Sequence, residues 1–247
     1  TEIISVKTHT DKEEVARLFT KYDLIALPVL DEDDHMVGIV TFDDAMDVMV
    51  EEATEDITKM AAINPSEKPY FATSVLAHAK SRIPWLLVLM FTSIITGAII
   101  TKYEDAFAAI PLLVSFIPML MDTGGNCGSQ SATLIIRGLA LDEIHFRDLF
   151  RVIFKEFRIS LICGGVLAAA NGIRILIMYR DPQLALVIAL SLIATVIISK
   201  LIGCMLPLFA EKLHLDPALM ASPLMKTLVD IFSILIYFKI ATMLFQL

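Results

Sequence analysis

The sequence predicts a helical polytopic membrane domain of five transmembrane helices, preceded by a small α/β domain. Three observations carry this. Residues 83–101, IPWLLVLMFTSIITGAIIT, run for nineteen positions without a charge, and a hydrocarbon core takes about 20 apolar residues of helix to cross. Further long apolar segments follow it. Charge is split along the chain: residues 1–80 hold 17 acids and 7 bases, a net of −10, whereas residues 81–247 hold 11 acids and 13 bases, a net of +2. The first apolar run begins after 82 polar residues, which excludes a secretory signal peptide.

The order of elements in residues 1–50 predicts the α/β domain. IISV at 3–6 reads as a strand, DKEEVARLFTKYD at 11–23 as a helix with Val15, Leu18 and Phe19 on one face, LIALPVLD at 24–31 as a strand, DEDD at 31–34 as a turn, and HMVGIVTFDD at 35–44 as a strand running into a helix. The acidity of this part argues against nucleic acid, whose phosphates need Lys and Arg. The segment LPVLDEDDHMVGIVTFDD resembles a CBS domain in its second repeat position. CBS repeats work in pairs and often hold adenosine nucleotides between them, which implies a missing partner repeat. By that resemblance Thr41 and Asp44 stand at nucleotide-contacting positions; the plainer reading is that they cap the following helix.

Residues 51–82 form a connector, acidic and helical in its first half, interrupted by Asn64-Pro65 and Lys68-Pro69, with a short helix at about 70–80 leading to the membrane. It is either a transmitter of motion or a rigid spacer. The membrane domain, 83–247, is expected to span at about 83–101, 106–121 (continuing as a polar segment to 139), 152–178, 184–209 and 224–245. Arg137, Arg147, Arg151, Lys155 and Arg158 lie between spans two and three, so that loop is expected in the cytoplasm. The N-terminal domain is then cytoplasmic too, and the C-terminus faces the outside of the cell membrane. Cys127, Cys163 and Cys204 are far apart, a pattern of free thiols with neither a disulfide scaffold nor a zinc site.

Polar groups inside apolar spans are costly and mark functional candidates. Asp230, in MKTLVDIFSILIYF, needs a proton, a lysine or a cation; Lys226, four residues earlier, offers an intrahelical pair. Asp216, in HLDPALMASP, reads as an N-cap before Pro217, yet Ala221, Ser222 and Pro223 suggest broken helix whose free carbonyls would face an ion. In PMLMDTGGNCGSQSAT, Asp122, Asn126 and Gln130 recur at four-residue spacing, while Gly124, Gly125 and Gly128 permit close backbone approach. Glu156 and Arg158 are expected near the cytoplasmic interface, and Lys200 is expected to snorkel or to pair with an acid. Oxygen donors without His or Cys suit a hard divalent cation. The residues alone reach a divalent-cation or proton pathway. No nucleophile–base set supports an enzyme.

Three segments resemble the MgtE family of magnesium channels: FIPMLMDTGGNCGSQSATLIIRGLA at 116–140, LPLFAEKLHLDPALMASPLMKTLVDIFSILIYF at 206–238, and the CBS module joined through EEATEDITKMAA at 51–62. The resemblance implies a homodimer in membrane lipid, with Mg2+ passing between subunits. It also implies closure by cytoplasmic Mg2+, modulation by ATP at the complete CBS pair, and a further N-terminal helical domain and first CBS repeat. Asp230 then matches the central ion-selecting carboxylate, and Asp216 a second acidic pore position. Asn126 with Gly125 matches the polar pore wall, and Asp122 is a second-rank candidate beside them. Glu51, Glu52, Glu55 and Asp56 match the region of inhibitory Mg2+ sites. Mn2+ or Co2+ are alternative cargoes. A secondary exchanger and a non-conducting CBS membrane sensor are the competing readings; a chloride channel fits the acids poorly.

Overall fold

The computed structural model describes residues 3–65, 69–104, 108, 110–220 and 222–246. It divides into two compact units, Thr1–Thr58 and Lys59–Leu247.

The first unit is a three-stranded sheet with two helices. Strands β1 (Val6–Lys7), β2 (Ala26–Leu30) and β3 (Met36–Thr41) lie in that order, with helix α1 (Lys12–Tyr22) between β1 and β2. β1 pairs with β2 in parallel, Val6 opposite Val29, as the crossover through α1 requires. β2 and β3 are antiparallel, with Ala26 opposite Thr41. Asp31 closes their turn: its Oδ1 accepts from the Asp33 and His35 amides at 3.0 and 2.8 Å. Asp34 takes the left-handed conformation there, φ 64°, which a short polar side chain tolerates best. Asp11 caps α1 by accepting from the Glu13 amide at 2.8 Å. Val6, Phe19, Leu27 and Ala45 are buried together as a small core.

Helix α2 (Phe42–Met60) starts directly after β3 and runs without a break through the acids of the connector. The expected boundary at 50/51 therefore falls inside one helix. Helix α3 (Val75–Lys102) is likewise continuous, taking in the later part of the short helix expected at about 70–80 and the first span, with Pro84 inside it, while Tyr70–Ala72 is a separate 3-10 turn. Ser74 caps it by accepting from the Ala77 amide.

The second unit continues with a 3-10 segment (Pro111–Phe116), α4 (Ile117–Ala140), a 3-10 turn (Phe146–Asp148), α5 (Leu149–Tyr179), α6 (Pro182–Lys212), a 3-10 turn (Pro217–Met220) and α7 (Ser222–Phe245). α5 and α6 form a tight antiparallel pair. Arg180 ends α5 in the left-handed conformation, and Asp181 caps α6 by accepting from the Gln183 and Leu184 amides at 2.9 and 3.0 Å, with Pro182 as first helical residue. α6 is the central helix: half of its most apolar stretch is buried within the chain, against none of that of α3. The main core joins Leu113, Phe116 and Leu120 to Ile188 and Leu192 of α6 and to Tyr237 and Phe238 of α7. The Tyr237 hydroxyl donates to the Leu113 carbonyl at 2.8 Å.

Four described helical segments are long and apolar enough to cross a membrane: Val75–Lys102, Phe146–Tyr179, Pro182–Lys212 and Pro217–Phe245. Five were expected from the sequence. The difference lies in α4, whose 24 residues are helical throughout and extend about 36 Å, but whose Asp122, Asn126, Gln130 and glycines keep it below the apolar standard of the others. The expected second span, 106–121, begins partly outside the described residues, and its later part is 3-10 helix running into α4. Its polar extension to 139 is the body of α4.

Candidate ion pathway

α4 has two faces of different character. Asp122, Asn126 and Gln130 are exposed on one, and the Asn126 amide donates to Asp122 Oδ2 at 3.1 Å, one helical turn away. Gly124, Gly125 and Gly128 are buried on the other. The close approach these glycines permit is made within this chain. A Cβ on Gly124 would meet Val229 at 2.8 Å and Thr195 at 2.9 Å; one on Gly128 would lie 2.8 Å from the Ser199 hydroxyl and closer still to Met225. Gly203 of α6 answers them, since a Cβ there would run into the Gly128 carbonyl. The Ser199 hydroxyl donates to the Gly124 carbonyl. That carbonyl is therefore already engaged, and the glycine face serves the packing of α4 on α6 and α7.

Gly125 is crossed by one side chain. The Cγ, Cδ and Cε of Lys226 lie 3.0–3.3 Å from where its Cβ would stand. Laid over this gap, the Lys226 ammonium comes to 4.0 Å from Asp122 Oδ1. The intrahelical Lys226–Asp230 pair that the spacing allows is not among the ion pairs of the described residues; the lysine leans to α4 instead. Asp230, one turn further along α7, feels the charges of both Lys226 and Asp122. Its Oδ1 is buried without a hydrogen-bond partner among the described residues. An unpaired buried carboxylate oxygen costs free energy unless something supplies a proton, a water or a cation. Asp230, Asp122, Lys226 and Asn126 thus form one polar cluster where α4 meets α7.

Asp216 is elsewhere and both its oxygens are used. Oδ1 accepts from the Ala218 amide at 2.8 Å, the N-cap expected from Asp-Pro, and Oδ2 pairs with Lys59 Nζ at 2.6 Å. Met60 beside that lysine packs on Ala132 and Ile136 of α4. The segment after Asp216 is a 3-10 turn and not regular α-helix; Ala221 within the expected break lies outside the described residues. In the first unit, Glu51 and Glu52 share Lys12, at 3.6 and 2.9 Å. Glu52, by hydrogen bond and charge, and then Glu51 hold that ammonium above the usual lysine range. Glu55 and Asp56 lie one turn on in α2 and also have partners. Thr41 donates from its amide (3.2 Å) and hydroxyl (2.5 Å) to Asp44 Oδ2, the helix-capping arrangement.

Sequence reasoning missed a second charged set. Glu156 is expected at the interface, but it is buried inside the bundle, 7% exposed. It accepts from the Ser131 hydroxyl at 2.6 Å and faces Lys200 Nζ at 3.9 Å, while Lys200 donates to Ser131 Oγ at 3.3 Å. The signal was present in α6: Ser191, Thr195, Ser199 and Gly203 repeat every fourth residue and are all buried, the small-residue stripe of a close helix contact. That stripe puts Lys200 on the inner side of α6.

A family model described as a divalent cation transporter, MgtE, matches residues 117–240, half of the chain. The chain belongs to the MgtE family. That match is to transporters and not to enzymes. A CBS domain model matches residues 1–51. The magnesium transporter MgtE of Bacillus subtilis is 42% identical over 98% of this chain and 53% of its own length. That of Thermus thermophilus is 40% identical over 99% and 54%, and that of Enterococcus faecalis 34% over 98% and 52%. The chain therefore spans about half the length of the curated relatives it matches. Within the MgtE match fall α4, α5, α6 and nearly all of α7, and with them both charged sets.

Proposed function

We propose that this chain forms the membrane pathway and adjoining CBS module of a Mg2+ channel for magnesium uptake across the cell membrane. The single observation that carries this is the unsatisfied Asp230 oxygen beside the open Asp122–Asn126 face, within the part matched by a divalent cation transporter family. Mg2+ sheds water reluctantly and is held through few protein oxygens. A site with one uncompensated carboxylate per subunit meets it as a hydrated ion. α4 is the fifth membrane-crossing helix in this reading, its polar face turned to the ion and its glycine face to α6 and α7. Two copies of the chain then bring two Asp230 carboxylates to one axis, and Asn126, with Gly125 under the Lys226 stem, belongs to the wall. Five crossings with a cytoplasmic basic loop leave the CBS module inside and the C-terminus outside.

Lys226 is a built-in counter-charge in this scheme. It offsets Asp122 and leaves Asp230 as the net charge, so that two subunits present about the charge of one divalent ion. Asp216 serves as a second acidic position only when Lys59 releases it, which links the end of α2 to the pathway. Cytoplasmic Mg2+ acts at Glu51, Glu52, Glu55 and Asp56, competing with Lys12, and closes the pore. ATP binds by Thr41 and Asp44 when the first CBS repeat is present. Mn2+ and Co2+ are alternative cargoes.

Mg2+ uptake by vesicles carrying the full-length protein tests this. Asp230→Ala is expected to abolish uptake, and unchanged uptake returns the chain to the membrane-sensor reading. A fixed charge pair beside a buried acid also suits a coupled exchanger. Single-channel recording separates the two, because an exchanger shows no ohmic openings.

A further inference from the structure

A groove of about 820 Å3 opens between the C-terminal end of α4 and the N-terminal end of α5. Arg137, Arg151, Lys155 and Arg158 line it, and all four are exposed. The last three recur at i, i+4 and i+7, one face of α5. None of the four has an acidic partner among the described residues; Arg158 rests on the Phe154 ring, 5.9 Å from its centroid. The acids of the groove are Glu143, Asp148 and Glu156. Glu156 is spent on Ser131 and Lys200, and Asp148 accepts from the His145 amide. Asp148 keeps its charge, so among the described residues Asp148 and Glu143 oppose four cations, a net of two positive charges. Between the cations the walls are apolar: Leu134 and Ile135 of α4, Val152 and Ile159 of α5. The positive end of a 31-residue helix adds to the same field.

Unpaired cations over an apolar floor at the end of membrane-length helices fit one kind of molecule. We propose that this groove is a binding site for an anionic phospholipid, the phosphate held among Arg151, Lys155, Arg158 and Arg137 and an acyl chain lying along Leu134, Ile135 and Ile159. Arginines grip phosphate through two parallel donors, and basic pockets between membrane helices are suited to acidic headgroups. A soluble phosphate compound shares the headgroup chemistry but has no use for the apolar walls. The site is separate from the Asp230 cluster and stands whether or not ions pass there.

The test uses the full-length protein in nanodiscs of phosphatidylcholine with a minor fraction of phosphatidylglycerol, bound lipid being read by native mass spectrometry. Retention of phosphatidylglycerol over phosphatidylcholine by about tenfold is expected. The combined Arg151→Gln, Lys155→Gln and Arg158→Gln variant is expected to lose that preference, and Lys155→Gln alone to reduce it. Lys155→Arg is expected to keep it, which shows that lost charge and not lost folding is read. Equal retention of the two lipids by the unmodified protein, or undiminished preference in the triple variant, overturns the proposal. So does inorganic phosphate bound in phosphatidylcholine-only discs with the same dependence on these three residues, which assigns the site to a soluble anion. A crosslink between two copies through Lys155→Cys that excludes lipid places a second chain over the groove and overturns it as well.

Discussion

Two acid–lysine sets surround α4, and they are built in opposite ways. Glu156 and Lys200 are both nearly inaccessible, with side-chain exposures of 9% and 6%, and each also meets the Ser131 hydroxyl. Asp122 and Lys226 lie open at 68% and 51%, 4.0 Å apart, and Asp230 beside them keeps a buried oxygen without a partner among the described residues. The same residue types thus appear once as closed structure and once as an unfinished site. Charges that hold a bundle together are compensated within it. Under the function proposed above, Asp230 stays uncompensated until an ion arrives, and the free energy of leaving it so is carried by the rest of the fold.

The sharpest way to break the comparison is to unbalance the closed set. Glu156→Ala leaves Lys200 buried and unpaired, a loss of about 3–5 kcal/mol of stability, read as a lowered thermal midpoint in detergent. Glu156→Gln combined with Lys200→Met is expected to recover most of it in a double-mutant cycle. The open set responds in transport instead. Asp230→Asn removes a unit charge that attracts divalent Mg2+ by about 7 kcal/mol at roughly 5 Å and an effective dielectric of 20, so Mg2+ flux falls by more than about a hundredfold, while the thermal midpoint holds or rises. A fall in stability with intact flux would make Asp230 structural and erase the contrast.

Gly203→Ala separates the frame from both sets. Its methyl group meets the Gly128 backbone, which cannot move aside as a side chain can, and overpacking of this kind costs about 1–3 kcal/mol. Gly165→Ala is the control, with nothing near its Cβ and a gain of up to about 1 kcal/mol expected from helix propensity. The smallest effect is that of Lys226→Met. Removing the fixed cation strengthens the pull of Asp122 and Asp230 on an ion, and the half-saturating Mg2+ concentration in uptake assays falls by a fewfold. Its rise instead would mean that Lys226 helps to assemble the site.

The α/β domain was legible element by element: strand, helix, strand, strand, helix, with the Asp31–Asp34 turn in place, although the first strand, expected at 3–6, is Val6–Lys7. Period-2 and period-3.6 patterns are local, and local patterns survive without knowledge of neighbours. The joints were legible in part. Residues 51–60 already read as helical and the prolines argued for breaks between 64 and 70, but the boundary drawn at 50/51 falls inside the single helix α2. Of the polar positions, the Asp122–Asn126–Gln130 face follows from spacing alone, because all three sit on one helix. The pairing of Lys226 with α4 and not with Asp230 does not, since the spacing favours Asp230 and only the gap over Gly125, on another helix, lays the lysine toward Asp122.

The division into an acidic α/β part and an apolar helical part, the presence of costly charges within the latter, and the family to which they belong follow from the order of residues alone. Which of those charges are already answered follows from the packing. Glu156 and Asp230 look alike in sequence, each an acid in or near an apolar run. The difference is made by α6, whose small-residue stripe draws it against α4 and carries Lys200 inward to Glu156, while no described cation is brought to the buried oxygen of Asp230. Compensation depends on atoms from helices distant in the chain, and a one-dimensional pattern holds no record of which of them meet.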